Sequence, residues 1–136
     1  HLHLLQNRMR QIAERDLFGK ELIPRLFLEC EISPVKLAGP NLAFLMSLEP
    51  FGQGNAKPVF LARKAVIIDA LKVGAERQHI KMKVQHGGQI WDAISFGTAY
   101  KFDSNCRVYD LAYSIGFNTW NGKTSVQLTV EDFRIA

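Results

Sequence analysis

Cysteine is scarce in this chain, and the isolation of what little there is closes off several function classes at once. Cys30 and Cys106 stand far apart, with no CxxC spacing and no histidine pair beside them. A structural zinc site needs four clustered ligands, so the pattern argues against a metal centre. Both thiols read as free, as expected of a protein in a reducing cytoplasm. Long apolar runs are also missing: none approaches the ~20 residues that carry a helix across a bilayer, and no membrane partner is expected. Low-complexity tracts and blocks of like charge are absent. The chain opens on His1 with neither an initiator methionine nor a signal-peptide pattern, which reads as a piece of a longer polypeptide. His1 and His3 suit a frayed terminus better than a metal tag. His79 and His86 lack a neighbouring serine or cysteine in a triad-like context, so no catalytic residue is assigned.

What remains is an ordinary globular composition. The 136 residues are 47% hydrophobic and 22% charged, enough for one domain with a small appendage. The formal charge of +4 favours an anionic partner and says nothing about fold.

Hydrophobic spacing divides the chain. In residues 2–18, Leu5, Met9, Ile12 and Ala13 fall three and four apart, the stripe of an amphipathic helix, with Gly19 as its stop. In "LFLECEIS" (26–33), Leu26, Leu28, Cys30 and Ile32 alternate with polar or outward neighbours, predicting a strand with one buried face. Ser33-Pro34 and then Pro40 mark helix starts, Leu42, Leu45, Met46 and Leu48 form the stripe, and Pro50 ends it.

From Val59 the period falls to two. A long strand, with room for a bulge, covers "PVFLARKAVIIDALKVG". "QHIKMKVQ" (78–85) alternates Ile80, Met82 and Val84 with His79, Lys81 and Lys83. His86-Gly87-Gly88-Gln89 reads as a hairpin turn into "IWDAISFG" (90–97). "TAYKFDSN" is a connector with one helical turn. Strands at 107–118 and 124–136 are joined by "NTWNGK", whose Asn121-Gly122 is a strong hairpin signal. Five strands, two hairpins and an excursion between the third and fourth predict a mainly β protein with N-terminal helices. The expected form is a five-stranded OB-like barrel preceded by a helix, a strand and a second helix. An SH3-like barrel or an open meander would also satisfy the spacing.

Four stretches carry a resemblance. "LEPFGQGNAKPVF" (48–60), "HIKMKV", "WDAISFG" and "VYDLAYSIGFNTWNGKTSVQLTVEDF" resemble, in order and spacing, the barrel region of RecJ-type single-strand-specific exonucleases of the DHH phosphoesterase superfamily. The likeness spans roughly residues 22–136 and departs at Ala56, where that family usually carries a second proline. It implies an organisation: residues 1–20 as a helix from the end of a preceding DHHA1-type domain, 21–58 as a strand–helix connector ending in the PFGQGN hinge, and 59–136 as the barrel. It also implies a parent enzyme that hydrolyses single-stranded DNA from the 5′ end in repair and recombination, using divalent metal (Mn or Mg). No Asp-His-His run and no glycine-rich histidine motif occurs here, so this stretch alone is expected to be inactive and to need no cofactor. The implied partners are single-stranded DNA, the catalytic DHH and DHHA1 domains of the same chain, and other repair proteins.

The glycines of PFGQGN pose a choice between a phosphate cradle and a hinge. A P-loop leads from strand to helix, so that backbone amides and the helix dipole face the anion. This stretch follows a helix and leads into a strand, so the hinge reading is preferred. Pro50, Phe51, Gly52, Gly54 and Asn55 are its residues, with Phe51 burying its ring as an anchor.

Binding a single strand needs cations for phosphates and flat side chains for bases. His79, Lys81 and Lys83 share one strand face at a pitch of ~6.6–7 Å. A solvated barrel exterior would look the same. Trp91 shares parity with Ala93 and Ser95, so it faces outward if Ile90, Ile94 and Phe96 fill the core. Tyr113 shares parity with Leu111 and Ile115 and is expected in the core. Trp120, beside Asn121 and Lys123 in the hairpin loop, suits either a nucleic-acid tip or a barrel cap. Arg63 and Lys64 add charge near a strand end and complete the candidate DNA-binding set.

Overall fold

The computed structural model describes every residue from His1 to Ala136. Helix α1 (Leu2–Leu17) ends just before Gly19, whose φ of 71° is the left-handed stop expected there. Its apolar stripe is present and uncovered: none of its residues is buried.

The predicted strand at 26–33 is corrected. Only residues 29–32 pair with the barrel through the backbone, by Glu29 N–H to Val59 O (2.8 Å), Leu61 N–H to Cys30 O (3.0 Å) and Ile32 N–H to Leu61 O (3.0 Å). The reason is the limited edge available. Strand β1 (Phe60–Val73) is paired on one side from Phe60 onward and on the other from Val66 onward, leaving a short gap that the connector fills. Leu26 and Leu28 therefore stay exposed.

The second helical region is two short helices, α2 (Pro34–Leu37) and α3 (Pro40–Met46), separated at Gly39. Both begin at the predicted prolines. They bury Pro34, Leu37 and Leu42. Ser33 occupies the N-cap position but its hydroxyl does not cap α2; it lies 2.9 Å from His86 Nδ1.

Strands β2 (His79–His86), β3 (Gln89–Ser95), β4 (Val108–Trp120) and β5 (Lys123–Ile135) complete the sheet. It is a closed barrel in the order β1-β2-β3-β5-β4, with β4 returning to β1. All pairs are antiparallel except β3 with β5. A three-residue 3₁₀ turn, Ala99–Lys101, stands in the long connection between β3 and β4. β1 serves two neighbours by bending at two irregularities, between Ala62 and Ala65 and between Ile67 and Asp69, as bulges do at barrel corners. At the first, Lys64 takes φ 53° and its N–H donates to Asp110 Oδ1.

Both hairpins turn on two residues with positive φ: Gly87 and Gly88 (62° and 76°), then Asn121 and Gly122 (49° and 75°). That is the type I′ geometry, whose twist matches the flanking strands. The second hairpin is tighter than predicted. β4 runs through Trp120 and β5 begins at Lys123, so Trp120 is the last residue of a strand rather than part of a loop.

Ile80, Met82 and Val84 of β2 face inward, as do Tyr109, Leu111, Tyr113 and Ile115 of β4. On β3 the predicted parity is reversed. Trp91, Ala93 and Ser95 are buried, while Ile90 and Phe96 are exposed and Ile94 is half-buried. Register explains it: Val84 pairs with Trp91, Met82 with Ala93 and Ile80 with Ser95. Directly opposed residues share a face, so the inward face of β2 dictates that of β3.

Candidate nucleic-acid interface

The residues proposed as a hinge form a closed turn. Gly52 and Asn55 exchange backbone hydrogen bonds of 2.9 and 3.1 Å, closing a four-residue turn. The Asn55 amide donates to Leu48 O at 2.9 Å and Pro50 O at 3.0 Å, tying the turn to the end of α3. Gly54 has φ 82°, a conformation that glycine adopts without strain. Phe51 is half-buried beside Leu45, Met46, Pro58, Phe60 and Ile115, anchoring the turn against the barrel. The backbone amides of Gly52 and Asn55 are thus spent inside the turn.

An open groove of about 340 Å³ crosses the strands. Register assembles it. Asp69 of β1 opposes Lys83 of β2, Lys83 opposes Asp92 of β3, and Asp92 lies beside Gln127 of β5. One step along, Leu71 opposes Lys81. The β4–β5 hairpin supplies the adjoining wall, with Asn118 opposite Ser125 and Trp120 opposite Lys123. Lys81, Lys83, Trp120, Asn118, Ser125 and Gln127 all line this groove, together with Asp69, Leu71 and Asp92.

Two of the predicted residues therefore meet a third from a distant strand. Lys81 and Lys83 face outward beside Trp120, whose ring is 74% exposed at the groove wall. Asn121 and Lys123 are exposed at the tip of the same hairpin. Asn118, Ser125 and Gln127 were missed by sequence reasoning. The Asn121-Gly122 turn already implies the pairs Trp120–Lys123 and Asn118–Ser125, so part of this wall was open to inference. The parallel β3–β5 pairing that brings Gln127 to Asp92 has no local signal.

The other candidates are corrected. Trp91 is 6% exposed, inside the barrel, and its indole N–H donates to His86 O at 3.2 Å; it has no face to offer a base. His79 is half-buried: its Nδ1 accepts the Gly97 N–H at 3.0 Å and its ring packs edge-on against Phe96. A backbone N–H can only donate, so Nδ1 carries no proton there. His79 thus holds the end of β3 instead of extending the lysine row.

Arg63 and Lys64 lie elsewhere on the barrel, around Asp110. Arg63 Nη1 is 3.2 Å from Asp110 Oδ2 and its Nε donates to Glu31 Oε2 at 2.8 Å. Arg134 Nη2 lies 3.3 Å from the same Asp110 oxygen. Burial alone would push the Asp110 carboxyl up. The Lys64 amide and the two guanidiniums outweigh that burial and hold it below the usual carboxylate range. The hydrogen bond and charge of Glu31 raise Arg63 in turn. Arg63 joins the connector to the barrel, and its charge is already matched.

His86 has company that sequence reasoning denied it. Its Nδ1 meets Ser33 Oγ, and Nε2 lies 3.1 Å from Arg63 O. A carbonyl can only accept, so Nε2 carries a proton, and the Ser33 hydroxyl is the hydrogen-bond partner of Nδ1. Gly87 is packed so closely here that a Cβ would stand 2.7 Å from Ser33 Oγ. The pair fastens the start of α2 to the β2–β3 turn.

No three His, Cys, Asp or Glu side chains come together as an ion site. The divalent metal implied for the parent enzyme finds no such donor set among these side chains. No helix is long and apolar enough to cross a membrane.

A closed barrel in the order 1-2-3-5-4, with its groove across β2 and β3 and walled by the β4–β5 hairpin, is an OB barrel. The chain belongs, more particularly, to the RecJ OB domain family, which it matches over residues 28–132. It is 33% identical over 141 residues to the single-stranded-DNA-specific exonuclease RecJ of Dickeya dadantii (strain 3937), spanning 96% of this chain and 24% of that protein. Against the protein of the same name from Bacillus subtilis (strain 168) it is 26% identical over 137 residues, spanning 97% of this chain and 17% of that one. The chain thus spans a quarter or less of the length of these curated relatives. RecJ of Thermus thermophilus, solved in complex with Mn²⁺, superposes with a TM-score of 0.64 at 21% identity, covering 96% of this chain and 18% of that chain. At that identity the likeness is one of fold.

Proposed function

We propose that this domain holds single-stranded DNA for a RecJ-type exonuclease of which it is a part. The strand lies in the groove between β2 and the β4–β5 hairpin. The observation that carries the reading is the convergence of Lys81, Lys83 and the exposed Trp120 ring on one groove. A cation row and a stacking platform are the two parts a sequence-independent single-strand site requires. Asn118, Ser125 and Gln127 add donors and acceptors that any base edge can use. The parent would cut with divalent metal held in an upstream domain, this domain working with the catalytic DHH and DHHA1 domains of the same chain, in cytoplasmic repair and recombination, alongside other repair proteins. This domain would position the strand and leave the cutting to them.

Tryptophan emission tests it. Trp91 is enclosed and supplies a constant background, whereas a base stacked on Trp120 quenches its emission. Titration with oligothymidylate is expected to quench the signal, with affinity falling linearly in log[salt] at about −0.7 per phosphate neutralised. Trp120→Ala should lose ~1–3 kcal/mol of binding, the usual worth of one stacked base. Lys81→Glu should weaken it further with folding intact. Salt-independent affinity, or full affinity in both variants, would sink the reading.

A second reading rests on α1. Its uncovered stripe of Leu5, Met9 and Ile12 suits packing on the preceding part of the parent, with residues 1–20 belonging structurally to that part. On this view the barrel shapes the enzyme and touches DNA little.

A further inference from the structure

The groove holds as many carboxylates as lysines. Lys83 faces Asp69 from β1 and Asp92 from β3, both directly opposite it. It forms an ion pair with Asp92, both side chains being 49% exposed. Lys81, one step along the same strand, makes no ion pair. The two lysines are therefore unequal in electrostatic standing, although the sequence shows them as a matched pair.

The geometry points to Asp92 as an affinity-limiting residue of the DNA groove: its carboxylate occupies the Lys83 ammonium that a phosphate would otherwise take. This inference rests on the groove being the DNA site. In the free domain Asp92 stands where a phosphate oxygen would bind, and a strand entering the groove must displace it or pass by. Lys81 and the Trp120 ring then anchor the strand, and Lys83 contributes only after its partner is released. The arrangement suits an exonuclease, which has to advance its strand after every cleavage. A fully cationic row would hold each phosphate in place, whereas a neutralised lysine exchanges one oxygen partner for another at little net change.

The test compares oligothymidylate affinity of this chain with those of Asp92→Asn, Lys83→Ala, the double variant and Trp120→Ala. Measurements run between about 50 and 200 mM salt, and thermal melts check folding. Asp92→Asn is expected to bind roughly fivefold tighter, the worth of one ion pair at contact in water. Its salt slope should steepen by about 0.7, one further phosphate neutralised. Lys83→Ala alone should change affinity by less than about twofold, and the double variant should lose the gain, since the two residues act through each other. If Trp120→Ala weakens binding while Asp92→Asn binds like the unmodified chain, the groove stands and the Asp92 inference falls. If Trp120→Ala binds normally, or the unmodified chain does not bind, both fall.

Discussion

Two tryptophans occupy opposite extremes of this molecule, one 6% and the other 74% exposed. Both are large apolar rings with one N–H, so neither side chain by itself dictates its place. Trp91 points inward because β2 does, and its N–H meets the His86 carbonyl. Trp120 ends β4, where the barrel wall runs out beneath it. Asp110 shows the same dependence on surroundings. Its side chain is 8% exposed, and Arg63, Arg134 and the Lys64 N–H converge on it; as an isolated charge it would be costly. A carboxyl whose folded pKa is depressed binds protons first in the unfolded chain. Its stabilising contribution is therefore fully present above the unfolded value of ~3.9 and is lost as pH falls through the lower folded value. Thermal melts across this acid range should show stability declining with pH in the natural chain. Asp110→Asn should be less stable near neutrality and should decline less steeply in acid; parallel curves would contradict the assignment.

At the scale of elements, the β4–β5 hairpin decides whether a groove exists. Its two-residue turn sets Trp120 opposite Lys123 and Asn118 opposite Ser125, and a shift of one residue would send these side chains to the other face. Gly122 has φ 75°, so Gly122→Val should cost about 1–2 kcal/mol in urea unfolding, the penalty for a side chain in the left-handed region. Oligothymidylate affinity should fall as well, because Trp120 loses its register; unchanged affinity at reduced stability would detach the hairpin from the site. This turn was legible, since Asn-Gly between alternating runs specifies it. β3 was not. "IWDAISF" has apolar residues at both parities, and Ile90, Ile94 and Phe96 look the better core set until the pairing with Ile80, Met82 and Val84 is known. The strand expected at 26–33 failed for a related reason: alternation states what a segment can pair with, while β2 and β4 had already taken most of the β1 edge.

At the scale of the whole molecule, the barrel and α1 stand apart. The core lies among the strands, α2 and α3, whereas α1 contributes no buried residue. A helix of 16 residues is marginal in water without a packed face. Leu5→Lys together with Met9→Lys should therefore leave the urea midpoint and slope of this chain's barrel unchanged. In a longer parent protein the same pair should lower stability or displace the domain, measured by melting and limited proteolysis. No effect there would remove the support for α1 as a packing surface.

Local chemistry in this chain determined the elements and their turns: the α1 stripe, the proline starts of α2 and α3, the alternation of β2, the two hairpins and the PFGQGN turn. Each depends on residues within a few positions of one another, where spacing and backbone preference act directly. Tertiary structure decided which face of β3 is inside, that Arg63 and His79 serve the framework, and that Asp92 sits against Lys83. Those outcomes depend on strand pairing across the closed barrel, and pairing is set by the burial of all five strands together.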